Sequence, residues 1–433
     1  MNIVKEKIEE LLAGSFTHEL IEVTLTQQTN ENPKMFTGSG FFYYKNNKIH
    51  LKFLHKETDA QFSTCPTYNH LDYGEIIGSE YLFSMNAIDL NGYLWQAKDV
   101  DPYVNINASQ QGVSIDCELY EIKRKIDGDF KKHKVIFFIP QKINIPCNEF
   151  QDLGEEGKRR TRSVFSLNNI NVSILLEDKY TRICLDSDDD FSYLYAKSIL
   201  DSLSVASGVL LNPALVLWQG NDSRLLIFKH IDNKEKQRLM TFIPQRAPYY
   251  LNEWVQFSQA YIKKFETDKT FYYYWRKIFN AHQSDLENET LSLTVSIEGV
   301  INKFYSTFKI EDVEFSSLCC ESKPVIENLE INERVKSSII QLLEKGGRSS
   351  VKGTLFNMAK KGFFPEELAT TWYKARNRSA HAKHFKEHSW QENVKNYNSC
   401  LTLFYMLLCY HIEYKGKFVH HHLPGAPLKN LTE

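Results

Sequence analysis

Apolar and polar positions alternate with a period of two through the first half of the chain, and from about Leu251 the period becomes 3.6 and stays there. In the first half, short β-type runs recur at Glu19–Leu25, Phe36–Lys45, Lys48–His55, Glu80–Phe83, Tyr93–Ala97, Val113–Glu121, Val135–Pro140, Asn171–Leu176 and Thr181–Leu185. Breaks such as Lys45-Asn46-Asn47 and Asn91-Gly92 separate them, as turn residues do between strands. Many short strands at this spacing predict a sandwich or a curled sheet. One helix interrupts them at Asp190–Ala206, with Asp188-Asp189-Asp190 placed to cap its free N–H groups. A hairpin follows, Ala214–Gln219 against Leu225–Lys229 around Gly220-Asn221-Asp222.

Beyond Leu251 the pattern predicts two connecting helices, Asn252–Phe265 and Lys269–Ala281, and then Leu286–Thr307, Ile331–Glu344, Val351–Lys361, Glu366–His381 and Gln391–Tyr414. Leu293, Ile297, Val300, Phe304 and Phe308 form one apolar stripe; Val394, Tyr397, Leu401, Phe404, Leu408 and Ile412 form another. Short connections favour an antiparallel bundle, and the tail from Lys415 reads as irregular. The fold class expected is therefore α+β and multidomain. A β-rich, sandwich-like domain over 1–245 is followed by connecting helices over 246–285 and an all-α bundle over 286–433.

A length of 433 residues gives room for two to three such units, and 42% hydrophobic with 13% aromatic residues excludes disorder over most of the chain. None of the eight cysteines forms a CxxC pair, so they read as reduced thiols in place of zinc ligands. Met1–Phe16 is charged and amphipathic, unlike a secretory signal, and the most apolar segment, Leu401–Ile412, is shorter than the roughly 20 residues of a membrane span. A cytoplasmic protein without a membrane segment is expected.

The net charge of -2 hides a segregation. Between Lys345 and Lys386 stand Lys345, Arg348, Lys352, Lys360, Lys361, Lys374, Arg376, Arg378, Lys383 and Lys386 against Glu366 and Glu367, a local +8 that leaves -10 for the remainder. Such a stretch suits phosphate, and Trp372, Tyr373 and Phe385 lie within it as candidate base-stacking rings; a solvated helix face with Trp372 in the core is the plainer reading. The helix Glu366–His381 follows Pro365 and turns Leu368, Thr371, Trp372 and Ala375 inward. Asn377, His381 and His384 share a row, whereas Arg376 and His381 sit about 140° apart on a regular helix. For both to reach one phosphate, the helix must loosen near Ser379 or a second subunit must supply one of them.

The run Arg376-Asn377-Arg378-Ser379-Ala380-His381 fits the RxxxxH pattern, with Asn directly after Arg, and by it the segment from Leu286 to Tyr414 resembles the HEPN superfamily of ribonucleases. A β-rich half before such a bundle resembles the ApeA-like proteins of bacterial anti-phage defence. The resemblance implies a cofactor-free, metal-independent endoribonuclease that cleaves RNA, tRNA among the candidate substrates. It also implies a homodimer with two motifs facing each other and a phage-derived trigger sensed by the β-rich half. His381 would then be the general acid/base, Arg376 the phosphate clamp and Asn377 an orienting residue, with Lys374, Arg378, Lys383 and His384 as RNA contacts. An imidazole can exchange protons with a ribose 2′-OH, and a guanidinium can hold two phosphoryl oxygens in its fork.

Glu298 flanks the stripe of the Leu286–Thr307 helix. It could reach across the bundle to fix Arg376 or His381, or it could simply face solvent; both readings stay open. Lys158, Arg159 and Arg160 read as an exposed loop that could hold an RNA backbone. Asp186–Asp190 lacks the glycine and closing glutamate of a calcium loop, and no GxSxG, HExxH or dinucleotide fingerprint is present. His420-His421-His422 reads as part of a mobile tail. A different class of function, a non-catalytic dimerisation or RNA-binding scaffold with a ligand-sensing β domain, fits the same organisation.

Overall fold

The computed structural model describes residues 2–29, 31–55, 75–102, 106–109, 112–152, 157–231, 238–245, 247–266, 268–282, 284–309, 313–345, 350–380 and 390–431. The chain is a mixed α+β protein whose contacts divide it into two units. The first comprises Met1–Leu200, Leu211–Lys236 and Arg246–Leu251; the second comprises Asp201–Leu210, Gln237–Gln245 and Asn252–Glu433. The change of period near Leu251 thus coincides with one division, whereas 201–210 and 237–245, which carry no change of period, join the second unit.

The first unit opens with α1 (Asn2–Ala13) and continues through β1 (Thr17–Gln27), β2 (Met35–Lys45), β3 (Lys48–His55), β4 (Phe83–Asp89), β5 (Leu94–Val100), β6 (Ile106–Ser109), β7 (Gly112–Leu119) and β8 (Glu121–Asp127). After these come β9 (His133–Ile139), β10 (Glu149–Asp152), β11 (Lys158–Leu167), β12 (Ile170–Leu176), β13 (Thr181–Ser187), β14 (Leu215–Gln219) and β15 (Ser223–Lys229). They form one 15-stranded sheet in the order β10-β11-β12-β13-β9-β14-β15-β8-β5-β4-β1-β2-β3-β7-β6, with antiparallel pairing such as β1 to β2 and β9 to β14. The strip from β5 to β7 curls until β5 also approaches β7. Inside it Phe16, Phe42, Trp95 and Phe228 pack together, and α1 adds Ile8 and Leu11 to the same core. In β9 nearly every residue is buried, because both faces are covered; Ile136 and Phe138 belong to that core while Val135, Phe137 and Ile139 point the other way.

Several strands differ from the sequence pattern for visible reasons. Lys158–Arg162, expected as a loop, begins β11, which pairs with β10 and β12; its inward positions are Thr161 and Ser163, so the alternation is polar and leaves no apolar signal. In β8 the inward row includes Arg124, whose guanidinium lies over the Tyr93 ring at 4.2 Å and so behaves as a flat apolar group. The run Glu80–Phe83 is a 3-10 turn, Ser79–Tyr81, leading into β4. The predicted hairpin is present as β14 and β15, with Gln219 paired to Arg224.

The helix α2 (Tyr193–Ser207) is capped by Ser192, whose Oγ accepts the Tyr195 N–H at 3.0 Å, and not by Asp188–Asp190. It ends at Gly208, where φ is +66° and a Cβ would lie 2.2 Å from the Leu239 carbonyl oxygen. Only glycine fits there. The close approach brings the 238–245 segment in: Leu239 N–H donates to the Gly208 carbonyl and the Gln245 amide to the Ser207 carbonyl.

The second unit contains α3 (Leu251–Phe265), α4 (Thr270–Ala281), α5 (Leu286–Phe304), α6 (Val313–Glu327), α7 (Glu333–Lys345), α8 (Val351–Lys360), α9 (Glu366–Ala380) and α10 (Trp390–His411). Asp285 caps α5 by accepting the Asn288 N–H at 2.8 Å. Along α10 every residue from Cys400 to Cys409 is buried, so this is a central helix and not the one-sided stripe the sequence suggested. Phe271 of α4 stacks on Phe404, Phe242 packs on Tyr405, and the Tyr305 hydroxyl donates to the Leu407 carbonyl. The predicted α5 stripe holds at Leu293, Ile297 and Val300, while Phe304 and Phe308 are half-buried.

After α10 the tail is ordered into β16 (Lys417–Val419) and β17 (Leu428–Asn430), a correction to the irregular segment expected. His420 is buried and the His421 ring bonds the Thr241 carbonyl at 2.8 Å, so these histidines belong to a packed hairpin. Burial lowers the pKa of all three, His420, His421 and His422.

Candidate functional site on helix α9

The residues of the RxxxxH run lie at the end of α9, whose direction is set by a buried row on its other side. Leu368, Ala369, Trp372 and Ala375 are buried; Thr371, expected inward, is only half-buried and Ala369 takes its place. Trp372 is 3% exposed and its indole N–H donates to the Thr294 carbonyl of α5 at 3.0 Å. It is therefore an anchor between two helices and unavailable for stacking bases.

From this anchored row the helical 100° step distributes the polar residues. Arg376 emerges about 40° from Trp372, on the side toward α5, and Arg378 about 120° the other way. The Arg376 Nε donates to Glu298 Oε2 at 3.1 Å, with both side chains partly exposed at 28% and 37%. Of the two open readings of Glu298, the structure shows the one in which it crosses the bundle to Arg376. A carboxylate on Nε fixes the plane of the guanidinium without using the edge formed by its two terminal nitrogens, the edge that matches two phosphoryl oxygens.

Arg378 goes elsewhere. Its Nη1 donates to Asn393 Oδ1 at 2.7 Å, and Asn393 is 3% exposed in the first turns of α10. A half-buried arginine engaged in this way joins α9 to α10, so of the expected RNA contacts it is a structural link. Asn377 and Lys374 are exposed on the ridge between the two arginines. Tyr373 is half-buried, and the Lys352 ammonium of α8 sits over its ring at 4.0 Å. The sequence reading missed the Asn393 bond and the Lys352–Tyr373 stack. Lys352 was visible as charge, but nothing in the spacing linked it to Tyr373.

Of the two alternatives, a loosening near Ser379 or a contribution from a second subunit, the first is not seen as far as Ala380, through which α9 remains helical. His381, Lys383 and His384 lie outside the described residues, as do Arg348, Phe385 and Lys386. The structure therefore brings together Glu298, Arg376, Asn377, Lys374, Tyr373 and Lys352 at the exposed end of α9 and its flanks with α5 and α8. Lys158, Arg159 and Arg160 are exposed on β11 in the other unit, where the Arg160 guanidinium covers the Phe150 ring at 4.7 Å. A cavity of about 730 Å³ lies in that same first unit, lined by Asn86, Gln96, Lys98, Asp99, Tyr120 and Lys123, and includes none of the α9 residues. Among the described residues no group of three or more histidine, cysteine, aspartate or glutamate side chains is placed to hold a metal ion, and no helix is long and apolar enough to cross a membrane.

No family model, curated protein or solved structure matches this chain.

Proposed function

We propose that the chain is an endoribonuclease of the HEPN type acting in anti-phage defence, with the helical unit as the nuclease bundle and the β-rich, sandwich-like unit as the sensor that restrains it. The observation that supports this reading most is the Glu298–Arg376 pair. It holds a guanidinium at the exposed end of α9, five residues before His381, with its phosphate-matching edge not used by that bond.

The chemistry follows from those groups. His381 takes the proton of the ribose 2′-OH, the 2′-oxygen attacks the adjacent phosphorus, and the bond to the 5′-oxygen breaks. That oxygen receives the proton now held on His381 and leaves as a 5′-OH, while the other product carries a 2′,3′-cyclic phosphate. Arg376 binds the phosphoryl oxygens as negative charge accumulates on them, which is where a fixed cation lowers the barrier most. Asn377, next to it on the exposed ridge, orients the substrate, and Lys374 and Lys352 add phosphate attraction. Protons and charge are handled by side chains, so the step requires no metal.

The test is incubation of the purified full chain with total tRNA in the presence of EDTA, alongside Arg376→Ala and His381→Ala. Cleavage by the wild type and its loss in both variants is expected. Equal cleavage by all three proteins overturns the residue assignment, and cleavage abolished by the chelator overturns the metal-free mechanism.

A further inference from the structure

The outer face of the curled strip in the first unit opens where β5 and β8 part. The register of these two strands comprises Trp95 to Arg124 and Gln96 to Lys123, while β8 runs on beside β15 as far back as Glu121, opposite Lys229. On its other side β5 carries a bulge against β4. Phe83 pairs with Val100 and Met85 with Ala97, so Lys98 and Asp99 together stand opposite Ser84. A bulge breaks the alternation of faces, and both of these residues are exposed. Asp99 takes a left-handed φ of +55°, a conformation that is costly for a residue with a Cβ and that clusters at ligand sites. Into the gap opens the cavity of about 730 Å³, within the range of about 300–1,000 Å³ that small ligands occupy.

The cavity offers three kinds of contact. The first is an amide pair: Asn86 and Gln96 stand opposite each other on β4 and β5, and Gln96 Nε2 donates to Asn86 Oδ1 at 2.9 Å. That bond leaves Gln96 its carbonyl oxygen and one N–H, the adjacent acceptor and donor with which an amide side chain pairs to adenine. The second is a cation. Glu121 serves both Lys123 and Lys229, at 2.5 and 3.2 Å, and Asp99 accepts from the Gln28 amide at 3.0 Å. The Lys98 side chain is exposed and has no hydrogen bond or ion pair among the described residues, so these ammonium groups outnumber the two carboxylates and Lys98 is the uncommitted one. The third is a ring. Tyr120 is 73% exposed and rests against His230, with 5.9 Å between the ring centres.

We propose that this cavity binds an adenine nucleotide, with the base on the Tyr120 ring and the amide edge of Gln96 and the phosphate on Lys98. Each group then has its match. A neutral sugar leaves the lysine unanswered, and an inorganic anion leaves the ring and the amides idle. Gln96 and Lys98 are two positions apart on one strand, about 6.5 Å, and the length of the lysine side chain supplies the rest of the span from a base to its own phosphate. Stacking on the ring, pairing with the amide and a charge-assisted bond each contribute enough to be read in an affinity. The cavity shares no residue with α9, and the inference stands on the first unit whether or not the chain cleaves RNA.

The experiment is isothermal titration calorimetry of the full chain with AMP, and with GMP, adenosine and inorganic phosphate as partial matches. AMP is expected to bind with a dissociation constant below about 300 µM, and adenosine and phosphate at least about tenfold more weakly than AMP. Lys98→Ala and Tyr120→Ala should each weaken AMP at least about fivefold. Both side chains are exposed, so circular dichroism should show an unchanged fold in either variant. The wild type should prefer AMP to GMP, and Gln96→Ala should bring the two to within about twofold of each other. A dissociation constant for AMP above about 300 µM, or binding indifferent to both Lys98→Ala and Tyr120→Ala, overturns the proposal. Binding that is lost in Arg376→Ala and kept in Lys98→Ala places the nucleotide on α9 and overturns it as well. A wild type that prefers GMP overturns the assignment of Gln96 to the base.

Discussion

Removing the carboxylate of Glu298 separates what the Glu298–Arg376 contact does for stability from what it does for a substrate. At 3.1 Å the gross attraction is about 1.3 kcal/mol if water-like screening applies and about 5 kcal/mol at the effective dielectric of a protein surface. Both side chains remain partly exposed, at 28% and 37%, and holding two long side chains in one geometry costs rotamer entropy. The expected coupling is therefore about 0.5–1 kcal/mol. It is measured by urea denaturation of the wild type, Glu298→Ala, Arg376→Ala and the double variant, since the cycle removes what each truncation does on its own. On RNA the same pair should show a larger effect: Glu298→Gln leaves the guanidinium in place but free to swing, and kcat should fall about tenfold or more with little change in KM. A coupling below about 0.3 kcal/mol refutes the claim that the pair holds Arg376. An intact kcat in Glu298→Gln, alongside measurable cleavage by the wild type, refutes the positioning role.

Other substitutions test the frame around the site. Trp372→Phe keeps the packing of the ring but deletes the bond to the Thr294 carbonyl, and should lower the unfolding free energy by about 1–2 kcal/mol in urea titrations. Gly208→Ala meets the Leu239 carbonyl at 2.2 Å in a left-handed conformation, and should cost at least about 2 kcal/mol and lower the thermal midpoint. His282 follows α4 with its Nδ1 3.2 Å from Glu289, and that carboxylate raises its pKa above the ordinary 6.5 despite partial burial. A raised pKa contributes stability that is full below 6.5 and fades as the pH climbs through the folded value, so the advantage of wild type over His282→Gln should shrink between about pH 6 and pH 9. Parallel stability curves for the two proteins would contradict it.

The two kinds of periodicity in the sequence located the β-rich and helical parts because each depends on an apolar face, which the sequence displays directly. What escaped were elements whose faces are built otherwise. In β11 Thr161 and Ser163 take the inward positions, and in β8 an arginine lies flat on aromatic rings. Nearly all of α6 is exposed and Pro324 sits inside it, so it lacks the one-sided burial that marks a helix. In α10 the error was of degree: a helix apolar all round was read as a stripe because every third or fourth position was apolar along with the rest. At the site, the reach of Glu298 was one of two readings left open, because a boundary carboxylate can equally cross to a cation on a facing helix or turn to solvent. The fate of Arg378 was not legible, because its Asn393 partner lies 15 residues on and carries no charge to draw attention.

The burial of Cys400–Cys409 on every side has a consequence for the order of events during synthesis. The α5 and α9 helices, which pack on α10, leave the ribosome before it, so until α10 emerges the apolar faces they turn to it stay available to chaperones. In particular, α5 and α9 carry Glu298 and Arg376 on separate helices that both pack against α10. The ion pair that orients the guanidinium thus lies between two helices whose shared wall, α10, is the last helix of the bundle to be made.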